Sequence, residues 1–103
     1  MPNEHFNQLS PAEHERLALL MEECAEVIQI VGKIMRHGYE SCHPDGGPTN
    51  RQLLEKELGH VYAAMGMMKD SADIIMLPIR EHAAEKRLKV RQYLHHQEAP
   101  DAR

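Results

Sequence analysis

The chain has 103 residues, 42% of them hydrophobic and 27% charged, the size and balance of a single domain over residues 1–103 rather than of two independent cores. A formal net charge of −4 supplies no general attraction to nucleic acid or to an anionic membrane, so neither is an expected partner. No apolar run approaches the roughly 20 residues of a membrane span, and Met1-Pro2-Asn3-Glu4-His5 lacks the basic and apolar regions of a signal peptide, which makes the cytoplasm the expected location.

Aromatic residues make up only 4% of the chain and Trp is absent, while Leu, Ile, Met, Ala, Glu, Lys and Arg dominate, a mixture that favours helices. The expected fold is therefore all-α, a bundle of three to four helices. Seven methionines and many aliphatic residues exceed what one thin bundle needs, so a homo-oligomer that completes the core is expected. Cys24, in a helical pattern, and Cys42, in a loop, form no disulfide framework and read as free thiols.

Residues 1–9 are expected to be a flexible tail. Ser10-Pro11-Ala12-Glu13 then combines an N-cap serine, a proline at the first helical position and a capping-box glutamate, which starts a helix. Leu17, Leu20, Met21, Cys24, Ile28, Val31 and Met35 follow at spacings of three and four, and His37-Gly38 supplies a stop, predicting a helix over about 11–36. Its other side carries Glu22, Glu26, Gln29, Lys33 and Arg36, while Val27, Ile30 and Ile34 widen the apolar surface toward a second contact.

Gly38 to Pro48 is turn chemistry without periodicity. Thr49-Asn50-Arg51-Gln52 reads as a second capping box, and Leu54, Leu58, Val61, Met65 and Met68 make one apolar stripe on a helix over about 50–69. The pattern blurs from Asp70 to Pro78, which predicts a break near Asp70. A more polar third helix is expected from Ile79 or Arg80 to His96, with His95-His96 at its C-terminal end, followed by a tail over 97–103.

Glu23 and Glu26 stand three apart on the first helix, where side chains at that spacing project from neighbouring points of one face. Glu57 and His60 repeat the spacing on the second, beside Gly59, whose missing side chain lets another helix approach closely. Exposed glutamates three apart are commonplace on solvated helices, and either pair alone carries little weight. Both pairs, on successive helices and flanking a glycine-rich loop, point to oxygen ligands for a divalent ion.

Glu22-Glu23-Cys24-Ala25-Glu26, a loop, and Glu55-Lys56-Glu57-Leu58-Gly59-His60 resemble the ExxE…ExxD motif of the MazG-like nucleotide pyrophosphohydrolases. The resemblance covers about residues 12–94, and small phage and bacterial members look most similar. It implies a helical fold assembled as a dimer or tetramer, which hydrolyses nucleoside triphosphates to the monophosphate and pyrophosphate with Mg2+ or Mn2+. By it, Glu23, Glu26, Glu57 and His60 would be metal ligands, and Glu22 or Glu26 the base that takes a proton from water. Lys33 and Arg36 would meet phosphate, and Lys86, Lys89 and Tyr93 resemble the family's downstream substrate-binding residues.

The chain departs from the family pattern at His60, which stands where the pattern has aspartate. A neutral imidazole is a poor magnesium ligand and a good one for transition ions. Two further readings therefore stand beside the enzyme: a degenerate member that binds nucleotide or a protein partner without turnover, and a purely structural bundle in which Glu23, Glu26 and Glu57 are dispersed. His37, Cys42 and His43 make no zinc signature, the Met65, Met67 and Met68 cluster reads as core or subunit interface, and no P-loop, nucleophile elbow or dinucleotide fingerprint occurs.

Overall fold

In the computed structural model, which describes residues 6–97, the chain is all-α. Three helices follow one another, α1 (Pro11–His37), α2 (Asn50–Asp70) and α3 (Met76–Lys89), and a 3-10 turn, Val90–Gln92, comes after them. Among the described residues no strand forms, and an isolated antiparallel bridge joins Cys42 to Thr49. Of the tails expected at 1–9 and 97–103, residues 1–5 and 98–103 lie outside the described residues. No helix among those described is long and apolar enough to cross a membrane.

Both capping boxes form as the sequence predicts. The Ser10 hydroxyl accepts from the Glu13 amide at 3.1 Å and the Glu13 carboxylate accepts from the Ser10 amide at 2.8 Å. Thr49 and Gln52 exchange the same pair of bonds, at 3.2 and 2.9 Å. Each box satisfies two of the amides that a helix start leaves without intrahelical partners. Helix α1 ends where Gly38 takes φ 89°, a conformation closed to most side chains, and its amide donates back to Ile34.

Asn50 anchors the loop to the start of α2. Its side chain is 1% exposed and donates through Nδ2 to the Gly38 carbonyl at 3.0 Å, while its amide donates to Ser41 at 2.8 Å. Arg51 lies over the Tyr39 ring, 4.4 Å from its centroid, and its Nε donates to Glu40 at 2.8 Å. These contacts fold the chain back on itself over residues 38–49, so that α1 and α2 pack as an antiparallel hairpin.

The far end of the hairpin is closed by a bidentate pair, in which Arg16 Nε and Nη2 donate to the two Asp73 oxygens at 2.5 and 3.0 Å. Asp73 is presented by the turn that ends α2. Ala72, at φ 62°, lets its own amide donate to Lys69 and the Asp73 amide to Met68, which is the Schellman arrangement. The guanidinium holds the Asp73 carboxyl below its ordinary pKa, and the carboxylate raises that of Arg16.

Between these two ends the buried apolar residues are Ile30 from α1 and Ala64 and Met68 from α2. The surface of α1 that packs is thus the side of Val27, Ile30 and Ile34. The longer stripe behaves otherwise, since Leu17, Met21, Ile28, Val31 and Met35 are exposed. On α2 the expected stripe is at least half-buried except at Leu58.

The chain divides into two compact units between Asp73 and Ile74. In the second unit α3 begins at Met76, earlier than Ile79 or Arg80, because Pro78 falls at the third helical position, where a missing amide proton has no carbonyl to lose. The helix also ends earlier, at Lys89 rather than His96. From Arg80 to Lys89 every residue is exposed, and a helix with no buried face gains too little to continue past β-branched Val90. His95 and His96 accordingly lie beyond the helix rather than at its end.

Candidate metal centre

Antiparallel pairing of α1 and α2 sets the middle of one helix against the middle of the other. Glu23 and Glu26, one turn apart on the packed side of α1, meet Glu57 and His60, one turn apart on α2. Each of the four residues offers one ligand atom, and these atoms all lie within 4.8 Å of one another. It is the single such group of histidine, cysteine and carboxylate side chains among the described residues. Cys42, in the loop, and Cys24, on α1, are free and exposed.

His60 Nδ1 stands 3.3 Å from Glu23 Oε2 and 3.4 Å from Glu57 Oε2. Both oxygens are hidden from solvent, and neither accepts a hydrogen bond. The two glutamate side chains are each 14% exposed, whereas His60 is 48% exposed and forms the open side of the cluster. Buried carboxylate oxygens without donors are costly, and a cation that gathers them removes the cost. Three carboxylates and one imidazole therefore fit a divalent metal ion by donor chemistry and by the unmet demand of their oxygens.

Glu26 reports the same crowding. A hydrogen bond with Glu57, loss of water, and the negative charges of Glu23 and Glu57 push its pKa up to about 7. Without a cation, the cluster holds a proton at Glu26 up to about neutrality. This carboxylate thus exchanges protons in the range where a general base operates.

A cleft of about 390 Å³ opens beside the cluster, lined by Glu26, Gln29, Ile30 and Lys33 from α1 and by Leu53, Lys56, Glu57 and His60 from α2. One end of the cleft is acidic, and two lysines line the remainder with an amide and two aliphatic side chains. Of the sequence-derived site residues, Glu23, Glu26, Glu57 and His60 are brought together, and Lys33 shares their cleft. Glu22 is exposed and is not in the cluster. Arg36 is exposed, its guanidinium 3.6 Å from where a side chain on Gly32 would begin. Lys86, Lys89 and Tyr93 belong to the second unit, all three exposed, with Lys89 paired to Glu85 at 3.2 Å.

Sequence reasoning missed Lys56. It is one turn before His60 and adjacent to Glu57, whose carboxylate its Nζ approaches at 3.8 Å, so its place in the cleft follows from helical spacing once that face is known. Gln29, one turn from Glu26 and Lys33, was visible on the same terms. No family model matches the chain, and neither curated proteins nor solved structures give a match.

Proposed function

We propose that the protein is a metal-dependent nucleotide pyrophosphohydrolase, converting a nucleoside triphosphate to the monophosphate and pyrophosphate. The observation that carries this reading is the convergence of Glu23, Glu26, Glu57 and His60 from two helices beside a cleft with Lys33 and Lys56. The resemblance of the two glutamate motifs to MazG-like enzymes supplies the reaction class. Carboxylates for a cation next to ammonium groups for phosphate is the pairing that a polyphosphate substrate requires.

When bound, a divalent ion supplies Lewis acidity at the phosphate and lowers the pKa of a coordinated water. Glu23, Glu57 and His60 hold the ion. Glu26, beside these three, would accept the proton of the attacking water. Lys33 and Lys56 offset the negative charge of the phosphates and align them along the cleft, and Gln29 adds an amide donor. A cytoplasmic location, Mg2+ or Mn2+ as the ion, and self-association through the exposed stripe of Leu17, Met21, Ile28, Val31 and Met35 belong to the same reading.

His60 favours a second reading, a member that binds nucleotide without turnover, because it replaces an anionic oxygen donor with a neutral nitrogen. Pyrophosphate release from a panel of nucleoside triphosphates, with Mg2+ or Mn2+, on this chain and on His60→Asp separates the two. Turnover by this chain supports the enzyme, turnover by His60→Asp alone supports the disabled binder, and silence from both contradicts the hydrolase.

A further inference from the structure

The two oxygens that approach His60 Nδ1, Glu23 Oε2 and Glu57 Oε2, are the same two that are buried and accept no hydrogen bond. Glu26, Glu57 and His60 also line the cleft. The arrangement therefore has a nitrogen donor and two oxygen donors already turned toward one another, with no protein group satisfying the oxygens.

From this we infer that the centre, read as a metal site as above, takes a transition-metal ion of the Co2+ or Zn2+ class through His60 Nδ1 in preference to Mg2+. The first ground is chemical. Magnesium takes oxygen donors almost exclusively and releases its waters reluctantly, whereas imidazole is a common donor to zinc, cobalt and manganese. A ligand set of Glu23, Glu57 and His60 gives up one of three interactions with magnesium and none with a transition ion.

The second ground is spacing. A tetrahedral shell with bonds of about 2.0–2.1 Å has donor–donor edges of about 3.3–3.4 Å, while neighbouring donors around octahedral magnesium, at similar bond lengths, lie about 2.9 Å apart. The two nitrogen–oxygen edges here, 3.3 and 3.4 Å, stand at the tetrahedral value. The fourth position stays open to water beside Glu26, whose carboxylate lies within 4.8 Å of the other three donors. The neighbouring Lys33 and Lys56 carry no donor that a cation could use, so the selectivity rests on the four residues named.

The test is direct binding of Mg2+, Mn2+, Co2+ and Zn2+ to the full chain, to His60→Asp and to His60→Ala, by titration calorimetry, with the visible absorption of bound Co2+ as a second readout. Circular dichroism of each variant confirms that it folds. The expected result is that Zn2+ and Co2+ bind this chain most tightly and that the Zn2+-to-Mg2+ affinity ratio falls at least about tenfold in His60→Asp. The strong absorption of four-coordinate Co2+ should be lost in His60→Ala. An affinity ratio unchanged in His60→Asp, or Zn2+ binding equal in this chain and His60→Ala, overturns the selectivity and leaves the metal centre standing. Failure of all three proteins to bind any of the four ions overturns the centre itself.

Discussion

The side of α1 turned to α2 carries Arg16, Glu23, Glu26 and Lys33 among its apolar residues, whereas the stripe of Leu17, Met21, Ile28, Val31 and Met35 stays exposed. Hydrophobic burial alone would order these sides the other way. The difference teaches that the α1–α2 contact is organised around its charges as much as its core. Arg16 and Asp73 close one end with a matched pair, and Asn50 ties the other. Two carboxylate oxygens between them, Glu23 Oε2 and Glu57 Oε2, are left without donors, which is costly unless a cation completes them.

The largest expected contrast is between two isoleucines two residues apart. Ile30, 7% exposed, should lose about 2–4 kcal/mol of stability on Ile30→Ala, while Ile28→Ala, at 72% exposure, should cost no more than about 0.5 kcal/mol in dilute solution. Denaturant melts check this. Equal costs would break the assignment of faces, and a cost at Ile28 that grows with protein concentration would sharpen it by placing a second copy on the outer stripe.

Glu26 supplies a pH test of the inner face. Its folded pKa is raised to about 7, above its ordinary 4.5, so its contribution to metal-free stability is full below pH 4.5 and is lost as pH rises through about 7. Glu26→Gln should flatten that slope in melts between pH 5 and 8, and saturating Mn2+ should flatten it too, because the ion takes the proton's place. A slope unchanged in Glu26→Gln would contradict the crowding of carboxylates.

Asp73 works in the opposite sense. Arg16 lowers its pKa below 3.8, so the pair's contribution is present above about pH 4 and is lost as pH falls through the lowered value. Asp73→Asn should therefore reduce the acid sensitivity of unfolding below pH 4 while lowering stability at pH 7. A small effect of opposite sign is expected at Ala72, whose φ of 62° suits glycine. Ala72→Gly should raise stability by about 0.5–1 kcal/mol, measured as a shift in the denaturant midpoint.

Much of this was legible in the sequence because it is local. Ser10, Pro11 and Glu13, then Thr49 and Gln52, mark both helix starts through bonds that span three residues, and the pairs Glu23–Glu26 and Glu57–His60 follow from helical spacing alone. What could not be read is tertiary. Choosing the inner face of α1 depends on where α2 docks, and the bond from Arg16 to Asp73 joins residues 57 apart in the chain. Asn50 read as part of the second capping box, and its burial depends on the path of residues 38–41. The start of α3 was obscured by Pro78, which belongs in the first helical turn, and its end by helix formers that find nothing to pack against.

The most direct test of the account is thermal melting of this chain and of Glu23→Gln across a Mn2+ titration. The account predicts a saturable rise in melting temperature for this chain, equivalent to about 2.7 kcal/mol at a hundredfold excess over Kd, and a much smaller rise for Glu23→Gln. A melting temperature that does not respond to Mn2+, or that responds equally in both, would contradict a metal centre at Glu23, Glu26, Glu57 and His60.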